Sequence, residues 1–340
     1  MGLPLKHIPK LSVVLPVYNA QNHLEEAIRS CLNQTFEDFE LLIVDDGSTD
    51  RSVEIATSFV DPRLRCIRKP HRGLVPTLNA GLELSSAQLI ARMDADDVCL
   101  PLRFKRQVDF LDENPSVSAV SCMVEHGGDP ITQKGYGVYI DWINQQESTK
   151  AIERALLIES PFAHPSMMFR GSLVQSYGPY RDGLFPEDYE LWLRWAREGV
   201  VMAKIRESLL VWNDPPERLS RNDMRYDPMN FFKIKIPYLS HLLEMSGYRG
   251  KTISLWGGGR IARKKMRLLM QAAFKIDTII DIDPSKQGRR FESIEVISPH
   301  DLPKKGAPII SLVSSRGARS KVRQFLLETG REEMKEFFIA

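Results

Sequence analysis

A chain of 340 residues exceeds what one hydrophobic core usually fills, so two domains are expected. Its residues are 43% hydrophobic and 26% charged, an ordinary globular composition. Its 46 Lys and Arg against 44 Asp and Glu leave a net charge of +2, which gives no support to a nucleic-acid partner and makes any basic patch a local one. Cys31, Cys66, Cys99 and Cys122 are scattered with no CxxC pair, and no apolar run reaches the ~18–20 residues of a membrane span. A reduced, cytoplasmic protein without zinc site or disulfide frame is the expectation.

Leu11 to Val17 is a nearly continuous apolar run rich in β-branched residues and reads as a buried parallel strand. After Tyr18-Asn19-Ala20 a helix carries Leu24, Ala27, Ile28, Cys31 and Leu32 on one stripe. Phe39 to Val44 is a second strand, closed by Asp45-Asp46-Gly47-Ser48, and Thr49 or Asp50 can cap the helix that follows. Leu64 to Arg68 is a weaker third strand. Gly73 and Pro76 precede a helix with Leu78, Leu82 and Leu84. Ala87 to Met93 forms the fourth strand and Val117 to Cys122 the fifth. This alternation argues a parallel sheet with helices on both faces, whose ligands bind beyond the carboxyl ends of the strands.

The fourth strand runs straight into Asp94-Ala95-Asp96-Asp97. Adjacent carboxylates repel each other and resist burial unless a cation offsets them. Asp94 and Asp96 project to the same side when they end a strand. Hard oxygen ligands at that spacing suit Mg²⁺ or Mn²⁺ shared with a diphosphate. A solvated acidic turn before the helix that Pro101 opens is the plain alternative. Further on, Pro186-Glu187-Asp188 marks a helix start. Asp188 shares a stripe with Leu191, Trp192 and Trp195, an unfavourable place for a carboxylate without a task. It either caps the helix or does chemistry; the tryptophans read as core.

The pattern LSVVLPVYNA, LLIVDDGSTD, NAGL and IARMDADD, with the later PEDYELW, resembles the nucleotide-binding half of family-two glycosyltransferases, over about Lys10 to Asn213. Five separated motifs in order make the likeness specific. It implies a GT-A fold, a Rossmann-like mixed sheet, and transfer of a sugar from a nucleotide-diphosphate donor, most simply a UDP-sugar, with inversion. On that likeness Pro16, Val17, Tyr18 and Asn19 would line the nucleoside, and Asp45 would accept from the base. Asp94 and Ala95 would meet the ribose or diphosphate, and Asp96 would ligate Mn²⁺ or Mg²⁺. Arg72 and Asn79 lie in the segment that approaches the donor, Arg72 being equally readable as a surface arginine. Asp188 would be the catalytic base and Glu187 its supporting acid. His164, in Pro161 to Arg170, is a candidate contact to donor or acceptor, or a structural histidine. No QxxRW motif is present, which favours single transfer over polymer synthesis. A glycan or lipid-linked acceptor of cell-surface polysaccharide synthesis is the family analogy.

Met123 to Leu156 is poorly patterned, with a Gly-Gly-Asp-Pro turn signal, and reads as short strands and a loop. Pro215-Pro216 and Asn222-Asp223 break the pattern. A helical linker over 229–249 follows, in which Lys233 and Lys235 beside apolar residues would allow peripheral contact with the inner face of a membrane, packing being the stronger reading. The expected domains are 1–228 and, after the linker, 250–340. At Lys251 the rhythm restarts as a smaller Rossmann-like α/β domain. Its strands are Thr252 to Trp256, Asp277 to Ile282 and Ala307 to Val313, and a last helix runs through Val322, Phe325 and Leu326. Gly257, Gly259 and Ala262 fit a G-x-G-x-x-A turn, with Asp283 near the acidic position, as a second nucleotide site. Packing or homo-oligomer formation is the competing role. Two other functions stand beside the transferase: an NAD(P)-dependent oxidoreductase built on that turn, and a non-catalytic sugar-nucleotide binder.

Overall fold

The computed structural model describes residues 7–129, 132–215, 218, 221, 223–250, 252–303 and 306–340. Pro130, Pro216, Asn222 and Lys251, which the sequence marks as breaks, lie outside the described residues. The chain divides into two compact units: residues up to Ile152 with Ser160–Arg225, and Glu153–Glu159 with Tyr226–Ala340. The expected linker helix belongs to the second unit. Among the described residues no helix is long and apolar enough to cross a membrane.

The first unit is built on an eight-stranded sheet. Its strands are β1 (Leu11–Val17), β2 (Phe39–Asp45), β3 (Leu64–Arg68), β4 (Leu89–Arg92), β5 (Val98–Cys99), β6 (Ala119–His126), β7 (Met168–Arg170) and β8 (Met202–Trp212). They lie in the order β3-β2-β1-β4-β7-β6-β8-β5. Every residue of β1 and β2 is buried, which is why both are apolar runs rather than alternating ones. β1, β2, β3 and β4 pair in parallel; β7 runs antiparallel between β4 and β6. The sheet is therefore mixed, not wholly parallel as strand–helix alternation suggested. The three-residue β7 was too short to register as a strand.

The helices here are α1 (Leu24–Leu32), α2 (Ser52–Ser58), α3 (Leu74–Leu84), α4 (Arg103–Glu113), α5 (Lys134–Asn144), α6 (Thr149–Ala155), α7 (Ser172–Tyr177) and α8 (Glu187–Arg197). The stretch after Met123 is not short strands and a loop: β6 continues to His126 and two helices follow. In α5, Ile140 and Ile143 are buried, and Tyr136 and Tyr139 tilt against Trp212 at 5.0 and 6.1 Å. That packing outweighs the low helix propensity of Gly135 and Gly137.

α3 lies close on β1 because Gly81 faces it. A Cβ at Gly81 would stand 2.3 Å from Val14 Cγ1. Gly81→Ala is expected to lower stability by about 1–3 kcal/mol through overpacking, read as a lower urea midpoint at unchanged slope. An unchanged midpoint would mean that α3 shifts freely.

In the second unit, after Glu153–Glu159 with the end of α6, comes α9 (Pro228–Met245). Lys235 does not face outward: it is 4% exposed, and its Nζ donates to the Leu157 and Ile158 carbonyls at 3.1 and 3.0 Å. Burial pushes its pKa well down. The sheet follows, with β9 (Thr252–Trp256), β10 (Lys275–Ile280), β11 (Arg290–Phe291), β12 (Ile294–Ile297), β13 (Ile309–Ser311) and β14 (Phe337–Ile339) in the order β11-β12-β10-β9-β13-β14. All pairings are parallel except the β11–β12 hairpin. Helices α10 (Arg260–Gln271) and α11 (Arg316–Glu328) complete it. The hairpin and β14 had no sequence signature.

At the glycine turn the nearby acid is Asp281, not Asp283. Gly258 N–H donates to Asp281 Oδ2 at 2.7 Å, and Gly257 takes φ +119°. Asp283 is partly exposed and accepts from Ser285, while Lys286 reaches both acids. Spacing alone pointed two residues too far, because β10 ends at Ile280 rather than Ile282.

Candidate active site

The carboxyl ends of β1, β2 and β4 meet. Val17 pairs with Asp45 across β1–β2, Val14 pairs with Arg92 across β1–β4, and Met93 N–H donates to the Val14 carbonyl. Pro16 and Val17 are still strand; Tyr18 and Asn19 begin the loop. Asn19 adopts φ +50°, a conformation tolerated by asparagine. Its Oδ1 accepts from Thr49 N–H at 2.9 Å and its own N–H donates to Ser48 Oγ at 3.0 Å. The two loops are thereby laced together. Asp45 is 1% exposed and accepts from Ser48 N–H.

Asp46, which sequence reasoning passed over, organises the neighbouring loop. Its two oxygens accept from Arg72 and Gly73 N–H at 2.8 Å each, and His71 Nδ1 lies 2.8 Å away. The His71 ring then stacks on Tyr18, centroids 4.1 Å apart. Both rings are about half exposed, leaving an aromatic face beside Asp45. Arg72 is held through its backbone with its side chain in solvent. Asn79 has both amide atoms engaged with the Tyr180 backbone, at 2.9 and 3.0 Å. It fastens α3 to the segment before α8.

Asp94, Asp96 and Asp97 each offer a carboxylate oxygen within 4.8 Å of the others. Asp97 is buried; its Oδ1 accepts from Asn213 N–H at 2.8 Å, while its Oδ2 is buried without a partner. Asn213 also donates through Nδ2 to the Asp96 carbonyl at 2.6 Å, so the end of β8 holds the acidic turn in place. Burial, then Asp94, pushes Asp96 up to about 6. Burial, then Asp96 and Asp94, holds Asp97 well above the carboxylate range. A clustered, partly desolvated set of hard oxygen donors with one orphaned atom fits a divalent cation.

The Pro186 segment brings a second acidic pair to the same place. Glu187 and Asp188 occupy the first turn of α8, where the helix dipole favours negative charge. Asp188 Oδ1 accepts from Tyr189 N–H at 2.6 Å. Burial pushes Asp188 up to about 6, and burial with the Asp188 charge pushes Glu187 up to about 7. Glu187 Oε2 is buried and unpartnered. Trp192 and Trp195 are fully buried and pack on each other at 5.2 Å, as core.

Arg92 stands between the two acid groups. It is 2% exposed, its Nη2 donates to Asp94 Oδ1 at 2.6 Å, and the Asp94 charge, with a smaller part from Glu187, favours its protonated form against the burial penalty. Arg103 Nη2 donates to the Arg92 carbonyl at 2.8 Å. His164 lies below: its Nε2 and the Tyr180 hydroxyl share a 2.8 Å hydrogen bond, and its Nδ1 is 3.8 Å from Glu187 Oε1. Burial, then Arg92, holds its pKa well below the usual value, leaving a neutral ring. Arg218 is the other cation: it lies over Trp212 at 4.3 Å and lowers the pKa of Asp96, Asp97 and Asp188. Arg92 lies within the IARMDADD stretch, where only the acids were given a role, and Arg218 lies outside every quoted motif.

Residues 12–177 match the family model described as glycosyl transferase family 2. The amylovoran biosynthesis glycosyltransferase AmsE of Erwinia amylovora is 32% identical over 208 residues, 58% of this chain and 74% of that protein. This chain belongs to glycosyltransferase family 2. Another relative of this glycosyltransferase, the O-antigen biosynthesis glycosyltransferase WbnJ of Escherichia coli, is 30% identical over 199 residues, 56% of this chain and 74% of that one. The fold resembles the crystal structure of S. aureus TarS 1–349 in complex with UDP-GlcNAc, with TM-score 0.55 at 17% identity over 77% of this chain and 71% of that one. It also resembles the mannosyltransferase PcManGT of Pyrobaculum calidifontis in complex with GDP-Man and Mn²⁺, with TM-score 0.50 at 20% identity, covering 78% and 70%. The glycosyltransferase thus has the GT-A architecture, followed by a smaller α/β unit.

Proposed function

We propose that this glycosyltransferase moves a sugar from a UDP-sugar to a hydroxyl of a glycan or lipid-linked acceptor, with inversion. The observation that carries this reading is the meeting of two acid groups, Asp94-Asp96-Asp97 and Glu187-Asp188, around the buried Arg92. The first would hold the donor diphosphate and the second would face the acceptor. The Tyr18–His71 face and Asp45 would receive the nucleoside, Asp45 accepting from a base N–H. Asp96, with Asp94 toward the diphosphate, would hold Mn²⁺ or Mg²⁺. That ion supplies Lewis-acid relief for the charge gathering on the leaving diphosphate.

Asp188 would take the proton of the acceptor hydroxyl as its oxygen bonds to the anomeric carbon. The bond from that carbon to the diphosphate breaks on the opposite face, and the nucleoside diphosphate leaves. One displacement inverts the centre, so no side chain needs to act as nucleophile. Glu187 would steady Asp188, and neutral His164 would position Glu187 rather than exchange protons. Asn79 would fix the Tyr180 wall instead of touching the donor. The likeness to AmsE of amylovoran biosynthesis and WbnJ of O-antigen biosynthesis supports a place in cell-surface polysaccharide synthesis.

A thermal-shift panel of UDP-, GDP- and dTDP-sugars, each with and without Mn²⁺, tests the donor. At ~100 times Kd, ligand adds about 2.7 kcal/mol of apparent stability. UDP-sugars with Mn²⁺ should therefore raise the melting temperature by several degrees. A shift with NAD(H) and none with any nucleotide sugar would defeat the reading.

A further inference from the structure

The two parts of the chain carry opposite charge. The second unit, residues 153–159 with 226–340, holds 22 Lys and Arg against 14 Asp and Glu, whereas the rest of the chain holds 24 against 30. The near-neutral total conceals a basic second unit. Five of its cations lie on α10, which contains no acidic residue. Ala262, Lys265, Met266 and Leu269 face the interior, leaving Arg260, Lys264 and Arg267 as an exposed stripe at i, i+4 and i+7. Ile261 and Met270, 50% and 40% exposed, flank the stripe. The β11–β12 hairpin extends this face: Arg263 lies 4.6 Å over Phe291, and Arg267 pairs with Glu292 at 2.8 Å. Arg289 and Arg290 lie exposed at its start. Among the described residues, Arg260, Lys264 and Arg289 make no ion pair.

Two features of this face work against the unit's own stability. Cations in the first turns of α10 oppose its dipole. Clustered like charges repel each other. An anionic partner would relieve both. The flanking Ile261 and Met270 narrow the choice, since they suit a partner with an apolar layer beneath its anions. A bilayer has such a layer and a nucleic acid does not.

We propose that the exposed face of α10, with the adjoining hairpin, is a docking surface for the anionic headgroups of a lipid bilayer. The cations draw the second unit to the surface, and Ile261 and Met270 enter the headgroup boundary. The net-negative first unit adds nothing to this attraction.

The test is co-sedimentation of the full chain with phosphatidylcholine vesicles, with and without about one-third phosphatidylglycerol. The chain should bind the anionic vesicles alone, and more weakly as salt rises. Each cation removed should weaken binding roughly fivefold. The combined variant Arg260→Ala, Lys264→Ala, Arg289→Ala should therefore fall about a hundredfold, with a circular-dichroism melt no lower than the parent's. The control Arg29→Ala, Lys105→Ala, Arg197→Ala removes as many exposed cations from the first unit and should bind like the parent. Equal binding to neutral vesicles, or equal loss in the control, would overturn the proposal. So would failure to bind vesicles together with binding to an RNA homopolymer that the α10 variant loses.

Discussion

Asp188→Asn is expected to lower turnover by about 10²–10⁴-fold, the usual contribution of a positioned proton acceptor. The amide keeps the shape of the carboxylate, and its oxygen can still accept from Tyr189 N–H. What it loses is the capacity to hold the acceptor proton. Donor KM should change little, because the donor is assigned to Asp45, Asp94 and Asp96 rather than to α8. A fall in kcat at constant donor KM marks an interaction made chiefly in the transition state. The pH profile gives a second readout. A base must be ionised to work, and burial pushes Asp188 up to about 6. The parent rate should therefore rise with pH through about 6 and level off above it, and the variant should lack that limb. Glu187→Gln should cost less, since Glu187 only supports. If Asp188→Asn turned over at the parental rate, Asp188 would be merely a carboxylate at a helix start, and the base would have to be sought elsewhere.

The parts of this site legible in the sequence share one property: each is local. β1, β2 and β4 are short apolar runs, and the acids at the ends of β2 and β4 mark where those strands stop. Pro186-Glu187-Asp188 announces a helix start in the same way. The parts that were not legible depend on residues far apart in the chain. Arg92 reads as one more residue of an apolar strand, and only the fold sets it between Asp94 and the Glu187 charge. Asn213 secures the acidic turn from 116 and 117 residues away. Asn79 lies in a donor-side motif, yet its amide matches the Tyr180 backbone across 101 residues. Asp46 has the same composition signal as Asp45, but only backbone geometry shows it holding the Arg72–Gly73 turn. The basic face of α10 was hidden differently, by cancellation against the acidic first unit in the net charge.

Asp96→Asn is expected to do two things that point in opposite directions. Without metal the variant should be the more stable protein at high pH. Asp96 is raised to about 6 in the folded chain by burial and by Asp94, above the ~3.9 of an unfolded aspartate. A raised value means that the folded state holds its proton more tightly. The stability this confers is fully present below about pH 4 and is lost as pH rises through about 6. The asparagine carries no charge and suffers no such loss. Near pH 8 it should therefore exceed the parent by on the order of 2 kcal/mol, and near pH 4 the two should converge. With Mn²⁺ the order should reverse. Metal bound only by the folded parent adds stability by mass action, about 2.7 kcal/mol at ~100 times Kd. The variant, lacking a ligand oxygen charge, should gain little. Melting curves across pH, with and without Mn²⁺, separate these effects without any activity measurement. A variant whose melting temperature rises with Mn²⁺ as steeply as the parent's would remove Asp96 from the ligand set, leaving Asp94 and Asp97 to hold the ion. A parent that shows no loss of stability between pH 4 and 7 would mean that Asp96 is better solvated than its neighbours Asp94 and Asp97 suggest.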